Sequence, residues 1–195
     1  MAYCVSNDIV TLAVRRLNAS TPDNQWEGRE LDIAACLTNA LERLGDKVMW
    51  DDAKRGLLQQ DYTVTLSSGV GDLLAATGSI TGDADILTNG VYWGVVKDAD
   101  GNILQPLKNY SAFLRPQPLI YDYYCLKGQH IHTRSKLQQV NLPSDVTSVT
   151  GPLTITANFE PATAEDVPSE LQDDLVTILC EIVLTKLQPN GTTRV

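Results

Sequence analysis

The spacing of apolar residues changes twice along the chain, and these changes constrain the fold more than any single motif does. Before about residue 60, apolar residues recur every three to four positions, which is the spacing of amphipathic helices. From there to residue 160, β-branched and aromatic residues lie between turns rich in Gly, Pro, Asn and Asp, as is typical of strands. Helical spacing returns in residues 167–187. This order in a chain of 195 residues predicts an α+β fold.

We therefore predict N-terminal helices and a long C-terminal helix that together form a helical bundle, with a strand-rich β insert between them. Residues 1–60 are expected to form the N-terminal helical part, and residues 61–160 the β-rich part. Residues 161–188 should contain the C-terminal helix, which packs on the N-terminal helices. Residues 189–195 are expected to form a flexible tail.

The bundle prediction depends mainly on residues 167–187. Pro168 suits the first turn of a helix, and Asp173 and Asp174 suit its positive end. Apolar residues line two faces of this helix, namely Leu171, Leu175, Ile178, Leu179, Ile182 and, on the second face, Val176, Cys180, Val183 and Leu187. Because only a narrow stripe stays polar, several neighbours must bury the helix, within the domain or across a subunit boundary.

Two helix ends can be predicted in the N-terminal part. Ser6 is a suitable N-cap for the first helix, because its hydroxyl can accept a hydrogen bond from a backbone N–H of the first turn. A second helix follows the 3.6-residue period through residues 33–44. Gly45 stands where a left-handed C-cap is expected, so we predict that the second helix ends there.

The charge balance and the cysteines limit the classes of function. The 24 acidic and 15 basic residues give a net charge of −9, which disfavours nonspecific binding to a nucleic-acid backbone as the main activity. No stretch approaches the roughly 18–20 apolar residues that cross a bilayer, and the N-terminus lacks a basic region before an apolar run, so we expect a soluble intracellular protein. The four cysteines form no C-x-x-C pair, which predicts free thiols in a reducing compartment.

The only two histidines lie in the stretch CLKGQHIHTR. If Lys127 and Gly128 form a two-residue turn, Cys125 lies opposite His130, and His132 lies on the same face of the hairpin. Cysteine and histidine are zinc ligands, and a catalytic site would keep a further position open for water. This arrangement supports one alternative function, a small metal-dependent enzyme that uses Cys125, His130 and His132.

The same pairing favours a structural interpretation of the hairpin. It places Tyr124, Leu126 and Ile131 on the opposite face, which we expect to point to the core, and leaves the histidines facing solvent or a neighbouring subunit. No nearby carboxylate is placed to orient an imidazole or to act as a general base. We therefore predict no enzyme activity, no catalytic residue, no metal and no cofactor, and keep the metal site only as an alternative.

Two further patterns in the strand-rich part also occur in binding sites. Asp98, Asp100 and Asn102 have the spacing of calcium ligands, but Ile103 stands where a calcium loop needs glycine and Asn109 where it needs glutamate. We predict a hairpin turn there instead. The many aromatic residues of this part would suit a carbohydrate- or host-binding module, a second alternative, although aromatic residues in strands are more often packed.

The order of features also resembles a protein family. Trp50, Ala53 and Arg55 follow the N-terminal helices, and the segments YYCLKGQHIHTR and PLTITANFEPATAEDVPSELQDDLV follow later. Over most of the chain, this layout resembles the head-to-tail adaptor, or tail tubular, proteins of short-tailed bacteriophages. The first segment is similar to their hairpin of tyrosine, glycine and isoleucine, and the second to their strand, proline-rich turn and C-terminal helix.

The resemblance implies a structural role in a virion. Such proteins form rings, commonly of twelve copies, beneath the portal protein, and join it to the tail and to further neck proteins. We accordingly expect a homo-oligomeric neck or tail protein, assembled in the host cytoplasm, that binds no membrane. Double-stranded DNA would pass through the ring during ejection without specific binding, and an acidic lining would let it slide. We expect contacts through the loops at residues 67–90 and 136–151 and through the tail.

Overall fold

The structure is a computed structural model that describes residues 2–21, 25–79, 86, 88–114, 121–135 and 149–187. The fold is α+β and divides into two compact units. The helical unit comprises Met1–Leu58 and Glu160–Val195, and the β unit comprises Gln59–Phe159. Within the described ranges, no helix is both long enough and apolar enough to cross a membrane.

Among the described residues, helices and strands separate almost completely between the two units, since only one short α-helix lies in the β unit. The α-helices are α1 (Ser6–Ser20), α2 (Glu30–Ala34), α3 (Leu37–Met49), α4 (Tyr110–Phe113) and α5 (Gln172–Lys186). The strands are β1 (Gln59–Val64), β2 (Leu66–Ser67), β3 (Val70–Asp72), β4 (Thr77–Gly78), β5 (Val95–Lys97), β6 (Gln105–Pro106), β7 (Tyr123–Lys127), β8 (His130–Arg134) and β9 (Leu153–Asn158).

The prediction of a helical bundle with a long C-terminal helix is wrong. Among the described residues the helical unit contains no bundle, because α2 has only 5 residues and α5 only 15. The helix begins at Gln172 instead of residue 167, since Pro168 has an extended ψ of 145° and precedes a 3-10 turn instead of lying in the first turn of the α-helix. Two 3-10 turns, Ala164–Asp166 and Ser169–Leu171, occupy the preceding segment.

The short helix α5 nevertheless supplies much of the apolar core of the helical unit. It contacts both α1 and α3, and its Leu175 and Leu179 side chains are completely buried. At its first turn, Asp174 contacts the Nζ atoms of Lys47 at 3.1 Å and Lys54 at 2.5 Å. A carboxylate in this position is also stabilised by the positive end of the helix dipole. Apolar burial and this ion cluster therefore hold α5 against α3 and the turn that follows α3.

The two helix ends predicted in the N-terminal part also differ from the structure. Ser6 is the first residue of α1 and not its N-cap, and its backbone N–H and hydroxyl donate hydrogen bonds of 3.1 and 3.0 Å to the Glu165 carboxylate. A carboxylate distant in sequence thus caps α1. Gly45 lies inside α3, which continues to Met49 because Val48 and Met49 extend its buried face.

Two sheets build the β unit. The first, with strand order β4-β1-β9-β5, is antiparallel throughout, and the second, with order β2-β3-β8-β7-β6, is antiparallel except between β6 and β7. The sheets share a core at Gly71 of β3, where a Cβ atom would lie 2.5 Å from Val64 Cγ1 and 3.1 Å from Ile131 Cγ2. Glycine is needed there because side chains from both sheets already fill the space.

Several predicted strands and loops of the β unit need correction. The β-rich part predicted at residues 61–160 is not extended throughout, since residues 91–93 belong to the 3-10 helix Thr88–Trp93 and the strand β5 begins only at Val95. The predicted loop at residues 67–90 contains β3 and β4, so part of it is ordered into sheet. The loop at residues 136–151 lies largely, and the predicted tail wholly, outside the described residues.

Candidate functional site

The β7–β8 hairpin has a different register from the predicted one. Its turn lies at Gly128-Gln129, with a φ of 60° at Gly128, and Cys125 pairs with His132 instead of His130. The predicted partner of Cys125 is thus wrong by two residues along β8. Because side chains alternate between the two faces of a strand with a period of two, a shift of two residues keeps each side chain on its face. Cys125, His130 and His132 therefore still lie on one face of the hairpin, as predicted, although the pairing was wrong.

Helix α4 covers part of this face. The Asn109 side chain caps the helix by accepting hydrogen bonds from the next turn, and the Arg134 guanidinium donates to the Phe113 carbonyl at 2.8 Å. Tyr110 and Phe113 then meet the His132 ring edge-on, with centroid distances of 5.0 and 6.4 Å. His132 is consequently half-buried against aromatic rings and does not point freely into solvent.

The surroundings of His132 favour its neutral form. Burial lowers the pKa of His132 from its ordinary value of 6.5, and the positive charges of Lys127 and His130 lower it further. His130 lies at the exposed end of the hairpin, directly opposite Lys127. The two histidines therefore occupy different environments although one residue separates them.

Cys125 is sealed inside the β unit. Its side chain is completely buried, its sulfur lies 3.6 Å from the Leu126 carbonyl oxygen, and burial raises the pKa of its thiol. The Tyr92 hydroxyl accepts a 3.2 Å hydrogen bond from the Leu126 N–H. Its hydrogen bond with Cys125 lowers the pKa of the thiol, but by less than burial raises it. A buried thiol of this kind behaves as a small apolar side chain.

The three predicted ligands do not come together as a metal site. In the part of the chain that the structure describes, no group of three or more His, Cys, Asp or Glu side chains is arranged to hold a metal ion. The reason is local, since Cys125 lies in the core, His132 lies under α4 and His130 is exposed at the end of β8. A shared hairpin face is thus not sufficient for coordination.

The structure shows a feature that the sequence patterns did not indicate, a group of lysines held against aromatic rings. The Lys108 Nζ lies 5.9 Å from the ring centroid of Tyr92 and 5.7 Å from that of Trp93. The Lys127 Nζ lies 4.6 Å above the ring centroid of Tyr110. We call these five residues together with His130 the cation–aromatic surface. In the sequence, the one indication of this surface is that Lys108 stands two residues before Tyr110. Such a pair of residues is too common to be diagnostic.

The turn predicted at residues 98–102 is confirmed. The Asp98 carboxylate accepts hydrogen bonds from the backbone N–H groups of Asp100 and Asn102 at 3.0 and 2.8 Å, and from the Asn102 amide at 2.9 Å. Gly101 has a φ of 84°, and Lys97 forms a bridge with Ile103 on the far side of the turn. The Asp98 oxygens therefore hold the loop's own N–H groups.

The helical unit contains a groove of about 550 Å³ beside α1 and the start of α5. Its lining comprises Leu12, Arg15, Arg16, Ser169, Glu170, Gln172, Asp173 and Val176. Arg16 forms an ion pair with Asp173 and donates a 2.6 Å hydrogen bond to the Thr177 hydroxyl. Arg16 thus already has protein partners, so the groove gives a weaker indication of a ligand than the cation–aromatic surface does.

No protein-family model, no curated protein and no solved structure matches this chain. Function is therefore inferred from the resemblance in layout and from the surfaces described above.

Proposed function

We propose that the chain is a structural ring component of a bacteriophage head-to-tail connector, which joins the portal to the tail and lines the DNA channel. The observation that carries this proposal is the exposure of large apolar side chains on both units. In the helical unit Leu31 is 87% exposed and Trp50 is 63% exposed, and in the β unit Leu114 is 62% exposed and Tyr121 is 55% exposed.

Ring assembly accounts for such exposure on more than one surface. A ring is built from heterologous contacts, so every subunit presents two different surfaces to its two neighbours. Exposed tryptophan and tyrosine side chains are enriched in the buried centres of interfaces, where their large area is removed from water. Single exposed apolar residues are normal on a monomer, whereas tryptophan and leucine at this degree of exposure favour a surface that is covered on assembly.

The charge distribution supports a role around DNA. The net charge is −9, and most of the acidic excess lies in the sequence of the helical unit. A subunit with this balance repels the phosphate backbone, so a channel formed by such subunits would let the duplex slide without holding it. The proposal therefore requires no DNA-binding site on the chain.

The two alternative functions have less support. The metal-dependent enzyme needs Cys125, His130 and His132 to converge, and they occupy three different environments. A carbohydrate-binding module needs exposed aromatic faces on which a sugar ring can stack, whereas Lys108 lies over the rings of both Tyr92 and Trp93. Metal analysis and a glycan array would test these two alternatives directly.

Assembly of the purified chain tests the proposed function. We expect light scattering and negative-stain images to show rings, alone or after addition of the portal protein encoded by the same genome. Trp50→Ala should weaken assembly because it removes an exposed aromatic anchor, whereas Thr38→Ala, an exposed polar position on α3, should leave it unchanged. A chain that stays monomeric and never decorates the portal or a tail particle would contradict the proposal.

A further inference from the structure

The lysines of the cation–aromatic surface are exposed but held in place. The Lys108 ammonium lies over Tyr92 and Trp93 and the Lys127 ammonium over Tyr110, while both lysine side chains remain exposed. Lysine side chains that are already ordered lose less conformational entropy when an acidic partner binds. Such a surface is preorganised for a carboxylate ligand.

The two lysine positions are close along the chain, since Tyr110, whose ring lies under Lys127, follows Lys108 by two residues. The Tyr92 hydroxyl is bonded to the N–H of Leu126, the residue before Lys127, which connects the two lysine positions through the end of β7. His130 lies directly across the hairpin from Lys127 and is also exposed. One carboxylate among the described residues, that of Asp72, lies beside His130, because Asp72 pairs with His130 across β3 and β8 and accepts a hydrogen bond from the Leu74 N–H. Positive charge therefore predominates over the described part of this surface.

The helical unit presents a segment of complementary chemistry at residues 27–32. Leu31 is the most exposed of the large apolar side chains, at 87%, and it lies between the exposed residues Glu30 and Asp32. Glu27, in the turn that precedes α2, is exposed as well. The segment combines an apolar anchor with three carboxylates, which is the chemistry that a surface of aromatic rings and lysines would recognise.

This acidic segment is also rigid. Ile33 and Trp26 are completely buried and fix it at both ends. The Arg29 guanidinium lies 5.1 Å from the Trp26 ring centroid and 3.1 Å from the Asp32 carboxylate, so the short helix α2 is held from its outer side too. Leu31 therefore points outward from an ordered backbone, and its exposure is not the result of a loose loop.

We infer that the cation–aromatic surface of one copy binds the acidic segment at residues 27–32 of a second copy. The inference rests on the proposed ring function and names the contact through which neighbouring subunits meet. Every copy carries one of each surface, so the contact is heterologous and closes into a ring when the rotation between copies permits. The net charge of −9 favours a copy of the same acidic chain over a nucleic acid as the occupant.

Charge exchange between the two surfaces tests the inference on the full-length chain. Lys108→Glu combined with Lys127→Glu, and separately Glu27→Lys combined with Glu30→Lys, should each weaken self-association about tenfold or more by mass photometry or sedimentation. Mixing the two variants should restore association, because the wild-type segment of the first variant meets the wild-type surface of the second, and the two reversed surfaces also carry opposite charges. Lys97→Glu combined with Lys186→Glu makes the same charge change elsewhere and should leave association unchanged.

The milder pair Lys108→Gln and Lys127→Gln removes the positive charges without introducing negative ones, so it tests the contact if the glutamate variant fails to fold. It should also weaken association, and the wild type should dissociate as salt is raised. Rings that form equally well with all these variants would overturn the inference and leave the proposed function standing. A wild-type chain that never assembles would overturn both the inference and the proposed function. Tight binding of a fluorescent oligo-dT that is lost in the lysine variants would overturn the inference in another way, by showing that the surface binds a nucleic acid instead of a second copy.

Discussion

Gly94 provides a sharp test of the packing in the β unit. A Cβ atom at this position would lie 1.6 Å from the carbonyl oxygen of Thr156 and 2.7 Å from its carbonyl carbon. Ordinary contact begins near 3.4 Å, so Gly94→Ala requires a displacement of about 1.8 Å. The obstacle is backbone of β9, which is paired on both sides, with β1 and β5, and cannot move without breaking hydrogen bonds.

The expected cost of Gly94→Ala follows from this geometry. Overpacking a core usually costs about 1–3 kcal/mol, and neighbouring side chains normally relieve part of the clash by rotating. A backbone atom cannot rotate away, so we expect a loss of about 3 kcal/mol or more in the free energy of unfolding. Since ordinary domains are stable by about 5–15 kcal/mol, urea denaturation followed by far-UV circular dichroism would detect the change easily.

Two other glycines calibrate this experiment. Gly56 is exposed, has no atom within 4 Å of the Cβ position and needs no positive φ, so Gly56→Ala should be neutral or stabilise by up to about 1 kcal/mol. At Gly71 the closest atom is the Val64 side chain at 2.5 Å, which can shift, so Gly71→Ala should have an intermediate effect. A Gly94→Ala variant within about 0.5 kcal/mol of wild type would refute the reasoning.

Three carboxylate and imidazole substitutions should also change stability. Asp174→Asn removes the ion pairs with Lys47 and Lys54, which lower the pKa of the Asp174 carboxyl. Urea denaturation should therefore show a loss of about 1 kcal/mol in the free energy of unfolding near neutral pH, and this loss should shrink as the pH falls below 3.8. The exposed control Asp46→Asn should show no loss. Glu165→Gln weakens the cap of α1 and should lower the melting temperature measured by circular dichroism. Because the pKa of His132 is lowered in the folded chain, stability should fall as the pH drops below 6.5, and His132→Phe should flatten this dependence between about pH 7.5 and 5.5.

The hairpin faces could be predicted from the sequence because strand periodicity is a local property. Alternation alone assigns Tyr124 and Ile131 to one face and Cys125 and His132 to the other, and any even error in register leaves this assignment intact. The covering of the second face could not be predicted in the same way. It depends on α4, which has only 4 residues and is therefore too short to produce a helical period.

The failure of the bundle prediction has a comparable cause. An apolar circumference indicates burial, and burial does not require length or parallel neighbours. Residues 167–187 were correctly identified as apolar around the helix, but Pro168 suits the start of a 3-10 turn as well as that of an α-helix, and the turn shortens α5. Gly45 shows the same limit, because a glycine that could end a helix is retained inside α3 when apolar residues beyond it reach the core.

The pKa directions at the hairpin decide which part of it can carry function. A cysteine nucleophile needs a thiolate, which requires a lowered thiol pKa, and an imidazole partner must be able to hold the proton. In this hairpin burial raises the pKa of Cys125 and lowers the pKa of His132, so both groups favour their neutral forms. Lys108 and Lys127 are exposed, so their positive charges remain available to a partner. The histidine stretch thus supports the packing of α4, and the lysines around it are the groups that a second molecule can reach.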